Sequence, residues 1–281
     1  MNSRRYAAID VFTDRAYAGN ALAVVLDAEG LDDVAMQRFA RWTNLSETCF
    51  LFTPSDPAAD YRVRIWTPGG ELPFAGHPTL GSCHAWLAAG GVARAAGEVV
   101  QQCGVGLVRV RRDGERLAFE APPLRREAVD EAELAPVLAA LGLQRERVRR
   151  AAWLDNGPRW LSLQLDGAAS VLALEPDHAA LKTLGSKVGV IGEHDAGHAS
   201  GCAYEMRAFA AAVGIPEDPV TGSLNASLAQ WLIGEGIAPP SYVAAQGTRL
   251  ERAGRVHVAQ RDGALWVGGA SVGCIDGRVA L

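Results

Sequence analysis

The sequence predicts an α+β protein made of two similar halves. Three observations point there. Strand-like stretches dominate and a few helical ones punctuate them. One strand–loop–helix motif occurs twice, in the same internal order. And 281 residues are too many for one small core and few for three domains.

The elements read in order as follows. Residues 6–12 and 21–26 are apolar strands joined by a loop holding Gly19 and Asn20. Residues 32–43 read as a helix that Asp32 or Asp33 would cap, with Val34, Met36, Phe39, Ala40 and Trp42 as an approximate apolar face. Residues 48–53 form a short buried strand and 61–66 an alternating one. Residues 77–89 are helical and closed by Gly90 and Gly91. Residues 99–110 and 116–120 resemble hairpin strands around Asp113-Gly114. Pro122 and Pro123 then break the pattern, and a charged stretch follows, which marks a boundary between halves. Beyond it come a helix at 131–141, strands at 150–154 and 160–165, and an apolar run at 171–174 leading into a helix near 177–184. Strands at 188–191 and 204–209, a long apolar helix at 221–233, and alternating C-terminal strands complete the chain.

The repeat is legible residue by residue. Tyr61-Arg62-Val63-Arg64-Ile65-Trp66 matches Tyr204-Glu205-Met206-Arg207-Ala208-Phe209, 143 positions later. Glu71, Pro73, Gly76 and Gly90 recur as Glu217, Pro219, Gly222 and Gly236, 146 positions later. The second strand-to-helix connection is therefore longer by about three residues, and each copy reads strand, Gly/Pro loop, apolar helix.

Charge and composition exclude several classes. With 27 basic and 32 acidic residues the net charge is −5, which argues against general nucleic-acid or anionic-membrane binding. The Arg109-Arg111-Arg112 and 145–150 clusters read as solvated faces. No apolar run is long enough for a membrane span. The first residues carry no secretory pattern, and five cysteines without CxxC spacing suit reduced thiols in the cytoplasm. His194 and His198 have helical spacing, but the glycines around them suggest a loop, so no metal site is expected. No GxGxxG follows a strand, which disfavours a nicotinamide enzyme.

Candidate chemistry gathers before the two repeated helices. Leu72–Thr79 reads LPFAGHPT and Asp218–Asn225 reads DPVTGSLN. Such loops aim backbone N–H groups beyond a helix N-terminus, where a carboxylate or a developing enolate is stabilised. As plain caps, Thr79 or Ser223 would serve as N-cap residues. His77 lies between Gly76 and Pro78, where the helix N-terminus favours a neutral imidazole. Asp218 precedes Pro219 and suits either a cap or a substrate contact. Glu47 precedes the apolar 48–52 stretch, and partial desolvation there is the condition that readies a carboxylate for acid/base work.

Three segments carry a resemblance: Asn44-Leu45-Ser46-Glu47-Thr48, Pro73-Phe74-Ala75-Gly76-His77-Pro78-Thr79-Leu80-Gly81, and Glu217-Asp218-Pro219-Val220-Thr221-Gly222-Ser223. With Asp10-Val11-Phe12 and Gly19-Asn20, they resemble the phenazine-biosynthesis (PhzF-like) family nearly end to end. That resemblance implies a diaminopimelate epimerase-like fold: two pseudo-symmetric domains, each a curved, mostly antiparallel sheet around a central helix. Residues 1–121 with 267–281 would form one domain and 122–266 the other, with an active-site cleft between them. It implies a cofactor-free isomerase acting on a small cyclic carboxylate, as in the isomerisation of trans-2,3-dihydro-3-hydroxyanthranilate. Glu47 would be the acid/base group. His77 and Asp218 would be further catalytic residues, and Ser46, Gly76, Thr221, Gly222 and Ser223 would contact substrate. No metal or cofactor is implied, and a cytoplasmic homodimer is expected. The related epimerases use two facing cysteines at the helix N-termini; here those places hold Gly76-His77 and Gly222-Ser223, which disfavours a two-thiol racemase. An epimerase on another small amino acid, or a non-catalytic binding member, are the rival readings.

Overall fold

The computed structural model describes residues 2–281. The chain divides into two compact units, Met1–Glu120 with Gly268–Leu281, and Ala121–Val267. In chain order the elements are β1 (Ser3–Val11), β2 (Asn20–Val25), α1 (Asp33–Thr43), β3 (Thr48–Phe52), β4 (Tyr61–Thr67), β5 (Gly70–Leu72), α2 (Gly76–Ala88), β6 (Glu98–Cys103), β7 (Gly106–Asp113) and β8 (Arg116–Glu120). They continue with β9 (Arg125–Glu127), α3 (Glu131–Leu141), β10 (Val148–Asp155), β11 (Arg159–Leu165), α4 (Ala168–Leu172), α5 (His178–Leu184), β12 (Val188–Glu193), β13 (Tyr204–Ala210), β14 (Ile215–Asp218), α6 (Gly222–Gly234), β15 (Ser241–Gln246), β16 (Gly254–Arg261), β17 (Ala264–Gly269) and β18 (Ser271–Ala280).

In the first unit the strands pair in the order β18-β1-β2-β3-β4-β6-β7-β8, antiparallel except at β2–β3 and β4–β6. Helix α2 touches β1, β2, β3, β4, β6, β7, β8 and β18. A sheet that meets one helix with so many strands must curve around it. The sequence of α2 suits that position. Every residue from Gly76 to Cys83 is buried, and a helix without a polar face belongs inside a core.

The second unit repeats this wiring. Strands β10, β11, β12, β13, β14, β15 and β16 pair as β1, β2, β3, β4, β5, β6 and β7 do, with parallel steps at β11–β12 and β13–β15. Helix α6 takes the place of α2, 146 residues on. The longer connection seen in the sequence is a 3₁₀ turn at Ala211–Val213, between β13 and β14, where β4 and β5 are joined tightly. Helices α3 and α5 cover the other face of this sheet, burying Leu134, Val137, Leu138 and Leu141 with Leu161, Leu163, Val188 and Phe209. Strand β13 is therefore buried on both faces, and its charged residues need partners.

Three expectations need correction. The stretch 99–110 is not one strand. It breaks at Gly104-Val105, and Gly106 adopts φ 103°, so β6 and β7 form a hairpin of their own. On α1 only Met36, Phe39 and Ala40 are buried, while Val34 and Trp42 are 64% and 78% exposed. Positions i, i+3 and i+4 make one stripe at 3.6 residues per turn, and 34 and 42 fall outside it. Neither Thr79 nor Ser223 is an N-cap; those positions belong to Ala75 and Thr221.

Candidate active site

Glu47 is set by the turn between α1 and β3. Asn44 ends α1 in the left-handed region at φ 53°, its N–H donating to Ala40 O. The chain reverses through Leu45 and Ser46, and the hydroxyls of Thr43 and Thr48 close the turn at 2.9 Å. Glu47 is the last residue before the buried β3, and its side chain is 16% exposed. Ser46 sits half-buried on the same turn.

His77 is the second residue of α2, with a side chain 5% exposed. Its Nδ1 lies 3.1 Å from Glu47 Oε2, while Nε2 is buried with no hydrogen-bond partner among the described residues. At that distance a proton on Nδ1 can be donated in a hydrogen bond to the carboxylate.

The α2 N-terminus around this pair is left open. Ala75 is extended (φ −153°, ψ 141°), no side chain caps the helix, and no acidic residue occupies its first turn. Helices α1, α3 and α5, by contrast, are capped by Asp32, Asp130 and Asp177. Pro78 loses nothing there, because first-turn N–H groups have no intrahelical partner. A Cβ on Gly76 would sit 2.5 Å from Phe119 Cζ, so only glycine lets the ring lie against the helix entry. From inside, Thr79 Oγ1 donates to Ala75 O at 2.9 Å. Gln101 Nε2 donates to Thr79 Oγ1 at 3.0 Å, and Tyr61 OH donates to Gln101 Oε1 at 2.8 Å.

In the second unit α6 is open in the same way: Thr221 is the N-cap residue and makes no side-chain cap bond to the helix. Asp218, at the end of β14, instead accepts from Thr221 Oγ1 at 2.5 Å. The fully buried Gln246 uses every polar atom to hold this corner. Its Nε2 donates to Asp218 O and Thr221 Oγ1, and its Oε1 accepts from Thr221 N and Asn225 Nδ2. Gly222 is buried and Ser223 half-buried in the first turn. The structure thus joins Glu47 to His77 in one unit and Asp218 to Thr221 in the other.

Two features escaped sequence reasoning. Asn156 Nδ2 donates to Ser223 O at 2.9 Å and Trp160 Nε1 to Ser223 Oγ at 3.3 Å; the Asn156-Gly157-Pro158 turn was the available signal. The second feature is Glu205 on β13: Nε2 of His194, just past β12, lies 3.2 Å from Glu205 Oε2, and the His194 ring stacks on that of His198 with centroids 4.1 Å apart. Burial pushes the Glu205 carboxyl up to about 6 against the opposing pull of Thr248, Arg255 and Arg207. Burial lowers His194, with the His198 and Arg255 charges acting in the same direction.

The five cysteines are unbridged. Burial raises the Cys83 thiol to about 12 and pushes Cys49 up as well, so neither is a ready thiolate. Among the described residues no three His, Cys, Asp or Glu side chains converge as a metal-ligand group, and no helix is long and apolar enough to cross a membrane.

Comparison with known proteins places this architecture. Residues 9–277 match the PhzC-PhzF family, described as "Phenazine biosynthesis-like protein". "Antisense-enhancing sequence 1" of Schizosaccharomyces pombe is 35% identical, covering 99% of each chain. Trans-2,3-dihydro-3-hydroxyanthranilate isomerase of Pseudomonas aeruginosa is 32% identical, again covering 99% of each chain. The crystal structure of a PhzF-family phenazine biosynthesis protein from Enterococcus faecalis superposes with a TM-score of 0.82 at 25% identity, covering 100% of both chains. The fold is that of the diaminopimelate epimerase-like enzymes, and the protein is an isomerase. The chain belongs to the phenazine biosynthesis-like PhzC-PhzF family.

Proposed function

We propose that this protein moves a proton between carbons of a small cyclic carboxylate, without a cofactor, using Glu47 as the acid/base group. The substrate proposed is trans-2,3-dihydro-3-hydroxyanthranilate or a close relative, in line with the name of the 32% identical Pseudomonas aeruginosa enzyme. The observation that carries the reading is the Glu47–His77 pair: a nearly buried carboxylate 3.1 Å from an imidazole nitrogen. A carboxylate that takes a proton from one carbon must hold it and return it to another. An imidazole Nδ1–H beside it can donate to the carboxylate form and hold it in place for the next proton transfer. The open N-terminus of α2 adds positive potential where an enolate-like charge would develop. His77 and Asp218 are assigned as further catalytic residues. Ser46, Gly76, Thr221, Gly222 and Ser223 are assigned as substrate contacts. A cytoplasmic homodimer completes the reading; light scattering on the purified protein tests the assembly.

The experiment is proton exchange followed by NMR in deuterated buffer, with trans-2,3-dihydro-3-hydroxyanthranilate offered to wild type and to Glu47→Gln. Turnover with ring deuteration by wild type alone supports both the reaction and its base. A folded wild type that neither turns the compound over nor labels it removes this substrate. Equal labelling by the variant removes Glu47 from its role.

A further inference from the structure

The entry of α2 is gripped from beneath and not capped from above. Ala75, the N-cap residue, carries no polar side chain, and its carbonyl accepts twice from Thr79: from the N–H at 3.1 Å and from Oγ1 at 2.9 Å. These bonds fix the direction of a buried chain. A carbonyl only accepts, so the single proton of the Thr79 hydroxyl lies toward Ala75 O. Oγ1 must then be the acceptor in its 3.0 Å contact with Gln101, and the Gln101 amide must present Nε2 there. That leaves Gln101 Oε1 facing Tyr61, whose hydroxyl donates at 2.8 Å. Thr79, Gln101 and Tyr61 are all buried, and Tyr61 is held in turn by its stack on Trp86, with ring centroids 5.4 Å apart. Each member has one orientation that satisfies its neighbours, so the chain ties the Ala75 carbonyl to the paired strands β4 and β6.

The second unit makes the same contact with different chemistry. Positions 75 and 79 correspond to 221 and 225, and Asn225 Nδ2 donates to Thr221 O at 2.9 Å and to Gln246 Oε1 at 3.0 Å. In both copies a side chain four residues into the helix grips the N-cap carbonyl, and a buried glutamine from a neighbouring strand holds that side chain. A side-chain cap would occupy first-turn N–H groups, whereas a grip on the carbonyl fixes the entry and leaves them free. In the first unit the residue so fixed is His77, two positions beyond Ala75, and with it the 3.1 Å approach to Glu47. Thr79 and Gln101 hydrogen-bond to neither member of that pair. We propose that Thr79 and Gln101 are positioning residues for the Glu47–His77 pair, acting through the Ala75 carbonyl to hold the imidazole against the carboxylate. The inference deepens the proton-transfer reading and rests on it for its catalytic meaning.

Nitrogen NMR on histidine-labelled protein reads the pair directly, with the His77 signals assigned from the spectrum of His77→Gln. At fixed pH, Glu47→Gln is expected to move the His77 nitrogen shifts in wild type. It is expected to leave them in place in a Thr79→Val background, where the hydroxyl is lost with little change of shape. Thr79→Ser keeps the hydroxyl and is expected to restore the response. With trans-2,3-dihydro-3-hydroxyanthranilate, Thr79→Val should lower kcat about tenfold or more with KM little changed, because a small misplacement of a reacting group costs rate. A merely structural Thr79 would lower stability in urea and leave the response to Glu47→Gln intact, which overturns the proposal. A wild-type His77 that does not respond to Glu47→Gln overturns it too, as does a Thr79→Ser protein that behaves like Thr79→Val. If Thr79→Val does not fold, Gln101→Met removes the donor to Thr79 Oγ1 and carries the same comparison. A wild type that does not turn the compound over removes the proposed reaction alone, because the NMR comparison needs no turnover.

Discussion

Arg207 and Glu217 form a bidentate ion pair, Nε to Oε1 at 2.9 Å and Nη2 to Oε2 at 2.8 Å, which is the buried counterpart of Arg64 and Glu71 in the other repeat. The geometry is the same in both copies, but the surroundings differ. Arg64 and Glu71 side chains are 26% and 36% exposed; those of Arg207 and Glu217 are 4% and 7% exposed. Arg207 also donates to the carbonyls of Val171 and Leu174, which come from the segment covering β13.

The two pairs should therefore respond differently to the same cut. Arg207→Ala leaves Glu217 buried and unpaired, with an expected loss of about 3–5 kcal/mol. Arg64→Ala removes a solvent-screened pair and should cost no more than about 1 kcal/mol. Urea unfolding of both variants measures the contrast; equal losses would contradict the burial argument.

Glu205 predicts a pH-dependent stability. Its carboxyl is raised from 4.5 to about 6, so the folded state holds the proton more tightly than the unfolded chain. Its contribution is full below about pH 4.5 and is lost as pH rises through about 6. Glu205→Gln should then stabilise the protein by up to about 2 kcal/mol at pH 8 and by nothing near pH 4. His194 works in the opposite direction: its lowered value gives stability that fades as pH falls below its ordinary 6.5. Thermal melts of both proteins across this range give the result, and a gain that grew on acidification would reverse the assigned sign.

Catalysis should rest on the Glu47–His77 pair. Glu47→Gln keeps size and hydrogen bonding but cannot cycle a proton, so turnover should drop by about 10²- to 10⁴-fold with binding retained. On the proposed reading His77→Gln should lower the rate less, since it would remove a neighbour of the carboxyl and not the proposed base. Single-turnover rates with the labelled substrate rank the two.

Gly76→Ala should damage both stability and rate. The added methyl meets the Phe119 ring at 2.5 Å, and Phe119 is fully buried against Phe74. Overpacking of this kind costs about 1–3 kcal/mol. Any shift of the helix entry carries His77 with it, and misplacement by an ångström can cost on the order of a hundredfold in rate. Restored packing in Gly76→Ala/Phe119→Leu should recover stability first, as read by chemical denaturation.

Gln246 holds four hydrogen bonds at the α6 corner, and Gln246→Leu orphans the buried Thr221 N–H and takes one of the two acceptors from Asn225 Nδ2. The expected loss is about 3 kcal/mol or more. Amide hydrogen exchange should show it first in the opening turn of α6; unchanged protection there would argue that the network is dispensable.

The sequence alone determined the repeat, the two central helices and the family, but not the short strands Gly70–Leu72, Arg125–Glu127 and Ile215–Asp218. Periodicity and Gly/Pro punctuation are local properties, and they located both central helices to within a residue because those helices are apolar all round and end at Gly90 and Gly236. The motif residues Glu47 and His77 were legible as types, but their 3.1 Å approach was not, because they stand 30 positions apart in the chain. Only the tertiary structure decided which polar residues face one another across elements. Asn156 and Ser223, His194 and Glu205, and Gln101 and Thr79 carry no shared sequence signal. Their partnerships arise because burial strips each group of water, and each must then find its complement wherever the sheet's curvature brings one within reach.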